Sequence, residues 1–366
     1  MKNKKLNVLA ILMIMVLVLA FVPMSMSCRQ VAPAETEAAE TTSVETSNLE
    51  TVAADTTAAE ETTAEKDPYA VNYPITIEDD RGQQEGSDNR QLVFDGPVTS
   101  VIAGENNFTL CLKEFGKLDA VKGIAYWVSD TVTELADSPA VITPGGFELE
   151  RLIDLSPELL VCFDPIDPAI AEQLETAKIK IYGIGIVQSL DHIKKYIADY
   201  GMMFDSVEIA TKLIAGMEEK QAKVKAAVDK LGKSEKPKAI YIMSVGSEYG
   251  DYVPGANTFV DTLIVEAGGI NLPAEQGIEG WAEYSTEKLL ESDPDVIIIP
   301  LSTATGGMSN FASVEDFTKL EIVQELKAVK EGKVFGITAD YVNNLSFTEG
   351  DALVEFAEAI NGIEIE

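Results

Sequence analysis

Two glutamates stand at matched places in two matching phrases. Glu150 opens "ERLIDLSPELLV" and Glu287 opens "EKLLESDPDVII". Each phrase runs glutamate, base, leucine, aliphatic, acid, two variable positions, proline, acid, and then unbroken aliphatics. Two carboxylates are the minimum kit for glycoside cleavage, but these lie in separate halves of the chain and nothing in the sequence forces them together. Nucleophile–base chemistry has less to work with still: there is 1 histidine, no G-x-S-x-G, no Walker loop and no paired cysteines. A carboxylate in the first turn of a helix gains about 0.3–1 kcal/mol from the helix dipole. That accounts for the residue type, though not for the matched spacing.

A second set of residues suits binding rather than catalysis. Asn106, Asn107, Tyr126, Trp127, Tyr249, Tyr252, Asn257, Trp281 and Tyr341 fall in segments expected to be loops, and both tryptophans of the chain are among them. Flat apolar faces with a few amide and hydroxyl handles fit a bulky planar or macrocyclic ligand. The lone histidine, His192, reads as a solvated residue on a helix, so a bare zinc or manganese site is disfavoured. In the expected folded body the only arginines are Arg81, Arg90 and Arg151, a composition better matched to a neutral ligand than to a highly anionic one.

The elements that position these residues alternate. "PVTSVIAG", "AVKGIAYW", "PELLVCF" and "IKIYGIGI" read as strands, separated by helices at "NNFTLCLKEFGKLD", "ELERLIDL" and "PAIAEQLETAK". Ahead of them, "YPITIEDD" alternates as an edge strand does. After residue 232 the pattern restarts: strands at "AIYIMSV", "DVIIIPL" and "AVKEGKVFGIT", helices at "NTFVDTLIVEAGG", "TEKLLES", "VEDFTKLEIVQEL" and "EGDALVEFAEAING". Short buried strands alternating with helices predict parallel α/β layers with right-handed crossovers. Between the two series, Ile209, Leu213, Met217, Val224, Val228 and Leu231 recur in steps of three, four or seven. This predicts one helix of about 26 residues, roughly 39 Å long. The expected class is therefore α/β: two Rossmann-like lobes with central parallel sheets, bridged by one long α-helix. The ligand cleft lies between the lobes, beyond the carboxyl ends of the strands.

The ends of the chain and its charge limit where it works. Lys2, Lys4 and Lys5 precede an apolar run from Leu6 to Val22, with Ser25 and Ser27 just before Cys28. This resembles a bacterial lipoprotein signal with Cys28 as the lipidated residue, although Ser25 stands where a leucine is usual. A plain secretory signal or an uncleaved anchor are the alternatives, and all three export the chain. Residues 31–66 are nearly all Ala, Thr, Glu and Ser, a composition that reads as a disordered tether. With 61 acids against 28 bases and a net charge of −33, nucleic acid is an unsuitable partner. Cys111 and Cys162 lie in apolar stretches and read as small buried hydrophobes; the sequence leaves open whether they pair. The expected division is 1–27 signal, 28–66 lipidated cysteine and tether, 67–205 first lobe, 206–232 interdomain helix and 233–366 second lobe.

The phrases "TIEDDRG", "ELERLIDLSPELLVCF", "PGANTFVDTLIVEAGGIN", "STEKLLESDPDVIIIP" and "LKAVKEGKVFGI", with the long helix in their midst, resemble in order and spacing the substrate-binding proteins of ABC importers for iron-siderophores, haem and cobalamin. The resemblance runs from about Tyr73 to the C-terminus. It implies a monomeric, non-enzymatic binding protein without a cofactor of its own, held outside the cytoplasm through lipid on Cys28, that captures a metal chelate. A ferric hydroxamate or corrinoid ranks ahead of haem. It also implies that Glu150 and Glu287 dock onto arginines of the permease. The alternative is a surface sensor or adhesin on the same body. One departure is local: Thr99 and Ser100 stand where the family has a basic residue, after an insertion-like "GQQEGSDNRQ".

Overall fold

A computed structural model describes residues 67–81, 90–232, 234–246, 251–301 and 311–366; Cys28, the 31–66 tether and Tyr249 lie outside them. The expected strands and helices resolve into two α/β lobes. In the first, six strands are ordered Gly146–Phe147, Ala140–Thr143, Val121–Ala125, Val101–Ala103, Leu159–Phe163, Lys180–Ile184. All pairings are parallel except that of Gly146–Phe147, which turns back on Ala140–Thr143. In the second lobe, Ile270–Asn271, Lys238–Tyr241, Val296–Leu301 and Val334–Thr338 form a parallel sheet in that order. Val101–Ala103 is buried throughout and Leu159–Phe163 nearly so, because both faces of a parallel sheet are covered; hence the unbroken apolar runs.

The duplicated phrase forms the same corner in each lobe. Glu150 and Glu287 sit in the first turns of the helices Leu149–Asp154 and Thr286–Ser292. Each helix ends just before a residue with positive φ ahead of the proline, Ser156 at 48° and Asp293 at 39°. The chain then enters Leu159–Phe163 or Val296–Leu301, which lies beside the first strand of its lobe. The acid after the proline pins that first strand. Glu158 accepts from the Thr99 hydroxyl at 2.5 Å and the Thr99 N–H at 3.4 Å, and Asp295 accepts from the Lys238 N–H at 3.0 Å and the Lys327 ammonium at 2.7 Å. Thr99 and Ser100 thus have a structural task where the family pattern has a base.

The long helix spans Val207–Leu231, 25 residues, or roughly 38 Å. It packs on Leu190–Met203 of the first lobe and on Glu349–Asn361 of the second. Small residues let it approach closely: Ala210 meets the helix face at Gly201, the Met217 backbone passes Gly350, and Val228 covers Gly268. Gln221 ties both lobes to it, taking the Lys194 ammonium at 3.1 Å and donating to Glu266 at 3.1 Å.

Some expectations change. "YPITIEDD" does not border the main sheet; Ile75–Glu78 pairs antiparallel with Gln91–Phe94 as a separate two-stranded ribbon. "VEDFTKLEIVQEL" is not one helix but Val314–Thr318 followed by a single 3-10 turn, Glu321–Val323. Two segments read as loops hold a ribbon, Tyr252–Pro254 against Trp281–Glu283. Cys111 and Cys162 are free and buried, and burial pushes both thiols up.

His192 is not a solvated helix residue. Its side chain is 16% exposed and its Nε2 lies 2.7 Å from a carboxylate oxygen of buried Asp80, which also accepts from the Tyr196 hydroxyl. His192 and Tyr196 bonds, with Lys195 nearby, hold the Asp80 carboxyl below its usual range despite burial. Asp80, Asp79 and Arg81 of "TIEDDRG" are all buried; they moor the N-terminal ribbon to the first lobe.

Candidate functional site

In each lobe the chain starts at an inner strand, moves one way and then returns to the other side. Ligands of open α/β sheets lie at such a reversal, beyond the strand carboxyl ends. In the first lobe the reversal falls between Val101–Ala103 and Leu159–Phe163. One side chain bridges it: Glu105, just beyond the strand Val101–Ala103, accepts a hydrogen bond from the Phe163 N–H at 3.1 Å. Glu105 retains some accessible surface but lies deep in the molecule. Burial pushes its carboxyl up to about 7, against the Phe163 N–H bond, which favours the ionised form.

Glu105 precedes the helix Asn106–Glu114, whose first turn carries Asn106 and Asn107. Asn106 reaches the other lobe, its amide donating to Asn344 Oδ1 at 3.0 Å. Asn344 ends the helix Ala339–Asn344, which follows the last strand of the second sheet and also carries Tyr341. Lobe meets lobe again where Gln188 donates to the Asn257 carbonyl at 3.2 Å and its own carbonyl accepts from the Thr262 hydroxyl. The loops at the two strand ends therefore face each other.

Buried polar atoms without a hydrogen-bond partner concentrate here. Among the described residues these are Asn106 Oδ1, Asn107 Oδ1 and the Tyr126 hydroxyl, with three more on Tyr200, Asn271 and Glu349. An orphaned buried polar group calls for an explanation, and a ligand-binding site is one. Asn107 is only 7% exposed. Tyr126 packs edge-on to Trp127 with ring centroids 5.0 Å apart, and its hydroxyl is raised by burial and by Asp130.

The remaining expected site residues lie in the second lobe. Trp281 is partly buried and edge-on to Tyr241 at 6.3 Å. Tyr252 pairs along its ribbon, its hydroxyl 3.4 Å from Glu283. Asn257 is exposed with φ of 63°; it meets the first lobe through its carbonyl, not its side chain. The reading of the residues missed Glu105, Gln188 and Asn344. Gln188 follows the strand Lys180–Ile184 and Asn344 closes the helix that carries Tyr341; in sequence neither amide stands out from ordinary polar residues.

Charge at the site is distinctive. All three arginines of the described residues are engaged with carboxylates: Arg81 with Asp79 at 2.9 Å and Glu175 at 3.0 Å, Arg90 with Glu175 at 2.8 Å, Arg151 with Glu148 at 3.3 Å. Among the described residues no group of three or more His, Cys, Asp and Glu is placed to hold a metal ion, and no helix is long and apolar enough to cross a membrane. Glu150 and Glu287 are exposed, and neither makes a hydrogen bond or ion pair with another described residue.

Glu105 predicts a pH effect on stability. Its carboxyl is raised on folding, so its contribution is fully present below the unfolded value of 4.5 and is lost as pH rises through about 7. A shift of this size corresponds to about 3 kcal/mol. Guanidinium unfolding of wild type and Glu105→Gln at pH 4.5 and pH 8 checks this. Wild type should lose about 3 kcal/mol more than the variant over that interval, and parallel losses would show that Glu105 ionises freely in the fold.

Comparison with known proteins agrees with the architecture. The family model described as Periplasmic binding protein matches residues 101–341. A cobalamin-binding protein of Halobacterium salinarum is 22% identical over 300 residues, covering 81% of this chain and 76% of that protein. A vitamin B12-binding protein of Vibrio campbellii is 22% identical over 267 residues, covering 72% of this chain and 90% of that protein. Among solved structures, the Fe3+-hydroxamate transport system protein of Saccharomonospora viridis superposes with a TM-score of 0.58 at 23% identity, covering 79% of this chain and 100% of that one. The periplasmic heme-binding protein RhuT of Roseiflexus gives 0.59 at 19% identity, covering 73% of this chain and 100% of that one. With most of both lobes and the whole connecting helix inside the matched region, the chain belongs to the Periplasmic binding protein family.

Proposed function

We propose that this chain is the extracytoplasmic binding component of an ABC importer and that it captures a metal chelate in the cleft between its lobes. A corrinoid or ferric hydroxamate fits better than haem. The observation that carries the reading is the cluster of orphaned buried polar atoms on Asn106, Asn107 and Tyr126 at strand ends that face the second lobe. Trp127, Trp281, Tyr252 and Tyr341 supply the apolar faces, with Asn257 and Tyr249 as further contacts. The absence of an uncommitted arginine among the described residues supports a neutral guest over a highly anionic siderophore.

On this reading Glu150 and Glu287 are the permease contacts: each is exposed, in the first turn of an equivalent helix, and without an internal partner. Cys28 carries the lipid, residues 31–66 hold the body off the membrane, and the protein works as a monomer that turns over no substrate. The boundaries 67–205, 206–232 and 233–366 divide the two lobes and the helix.

The test is a titration of the purified protein with ferric hydroxamates, cyanocobalamin and haem, followed by tryptophan fluorescence. Trp127 and Trp281 report from opposite lobes. At least one chelate should quench saturably with a Kd of about 1 µM or tighter; no saturable response to any of them would overturn the proposal.

A further inference from the structure

The polar floor of the first lobe is short of donors. Asn106 Oδ1 and Asn107 Oδ1 are buried acceptors with nothing donating to them, and the amide of Asn106 is already committed to Asn344. Beside them stands Glu105, at the reversal of strand order, with one oxygen taking the Phe163 N–H. Close to that carboxyl are the thiol of Cys162, from the neighbouring strand, and Tyr200, from the helix Leu190–Met203. Neither brings positive charge.

We propose that Glu105 is the specificity-determining residue of the cleft, accepting an N–H from the guest and rejecting any guest that presents a carboxylate at that point. This rests on the import reading above and adds to it the donor pattern of the guest: neutral amide N–H groups rather than acidic side arms. An N–H meets a carboxylate as a charge-assisted hydrogen bond and supplies what the two asparagine oxygens lack. A ligand carboxylate meets three acceptors and like charge, a mismatch that acts as selection against the wrong guest.

The test uses a matched pair at pH 8.5, above the raised Glu105 value of about 7, so that the carboxyl is ionised. The full chain is titrated with cyanocobalamin and with its monocarboxylic acids, in which one peripheral carboxamide is hydrolysed, and separately with haem and a ferric hydroxamate. The amide form should bind at least about tenfold tighter than the most affected acid. In Glu105→Gln the gap should shrink to within about threefold, chiefly because the acid binds better once the like charge is gone. Glu105→Asp retains the charge and should retain the discrimination, and unfolding curves for both variants show whether they remain folded. Equal binding of amide and acid by wild type, or an unchanged gap in Glu105→Gln, overturns the assignment. Capture of haem or the ferric hydroxamate without any corrinoid also overturns it while the import reading stands. Failure to bind any of the probes removes the import reading itself.

Discussion

Replacing both Glu150 and Glu287 with alanine should reduce uptake by whole cells to about a tenth or less, while ligand affinity of the purified protein stays within about twofold. The two side chains are exposed and make no bond within the chain among the described residues, so their removal leaves the fold and the cleft intact. Exposed ion pairs add little affinity one at a time. On the docking proposal two charges at fixed separation would act together on encounter and register, and electrostatic steering alone alters association rates by about 10- to 1000-fold. The equivalence of the corners strengthens the expectation, because Ser156 and Asp293 turn the chain alike and Glu158 and Asp295 pin the neighbouring strand alike. Each single variant should show an intermediate loss. Reduced ligand affinity in the double variant would place these residues in the cleft instead, and normal uptake would dismiss the docking role.

Asp79→Ala should be the most destabilising of the substitutions considered, by about 3–5 kcal/mol. Asp79 is fully buried and takes the Arg81 side chain at 2.9 Å. It also accepts from the backbone N–H groups of Arg81, Arg90 and Gly183, at 3.3, 3.2 and 3.2 Å. Its loss leaves a 6%-exposed guanidinium with only the half-exposed Glu175 as a partner and frees three backbone donors together. Arg90→Ala, which removes only an exposed pair with Glu175, should cost less than about 1 kcal/mol. Guanidinium unfolding monitored at Trp127 separates the two; similar small losses would mean that the N-terminal ribbon is not moored through Asp79.

The large elements were legible because their signals are long or repeated. The helix Val207–Leu231 shows its apolar seam over seven turns, and the twelve-residue phrase reveals two lobes by occurring twice. Other features depend on contacts distant in sequence. Tyr252–Pro254 and Trp281–Glu283 are three residues each and the first ends in proline, so neither alternates long enough to register as a strand. His192 looked solvated because its helix is amphipathic, but Asp80 reaches it from 112 positions earlier in the chain. Glu105 reads as an ordinary acid ahead of a helix until Phe163, 58 positions later, is placed beside it. Asn106 and Tyr126 are marked by the side chain itself, whereas Asn257 meets the other lobe through its backbone carbonyl, which no residue type announces.

Gln221 bonds to both lobes from the middle of a rod that small residues grip at Gly201, Gly350 and Gly268. A body clamped along its length in this way has little slack to spend on a rare gaping form. Entry of a guest then works chiefly against the bonds across the cleft, Asn106 to Asn344 and Gln188 to Asn257, rather than against a hinge in the rod. Such a trap suits scarce nutrients, and it shifts the energetic burden to the moment of unloading, when the bonds and packing along the rod resist separation of the lobes.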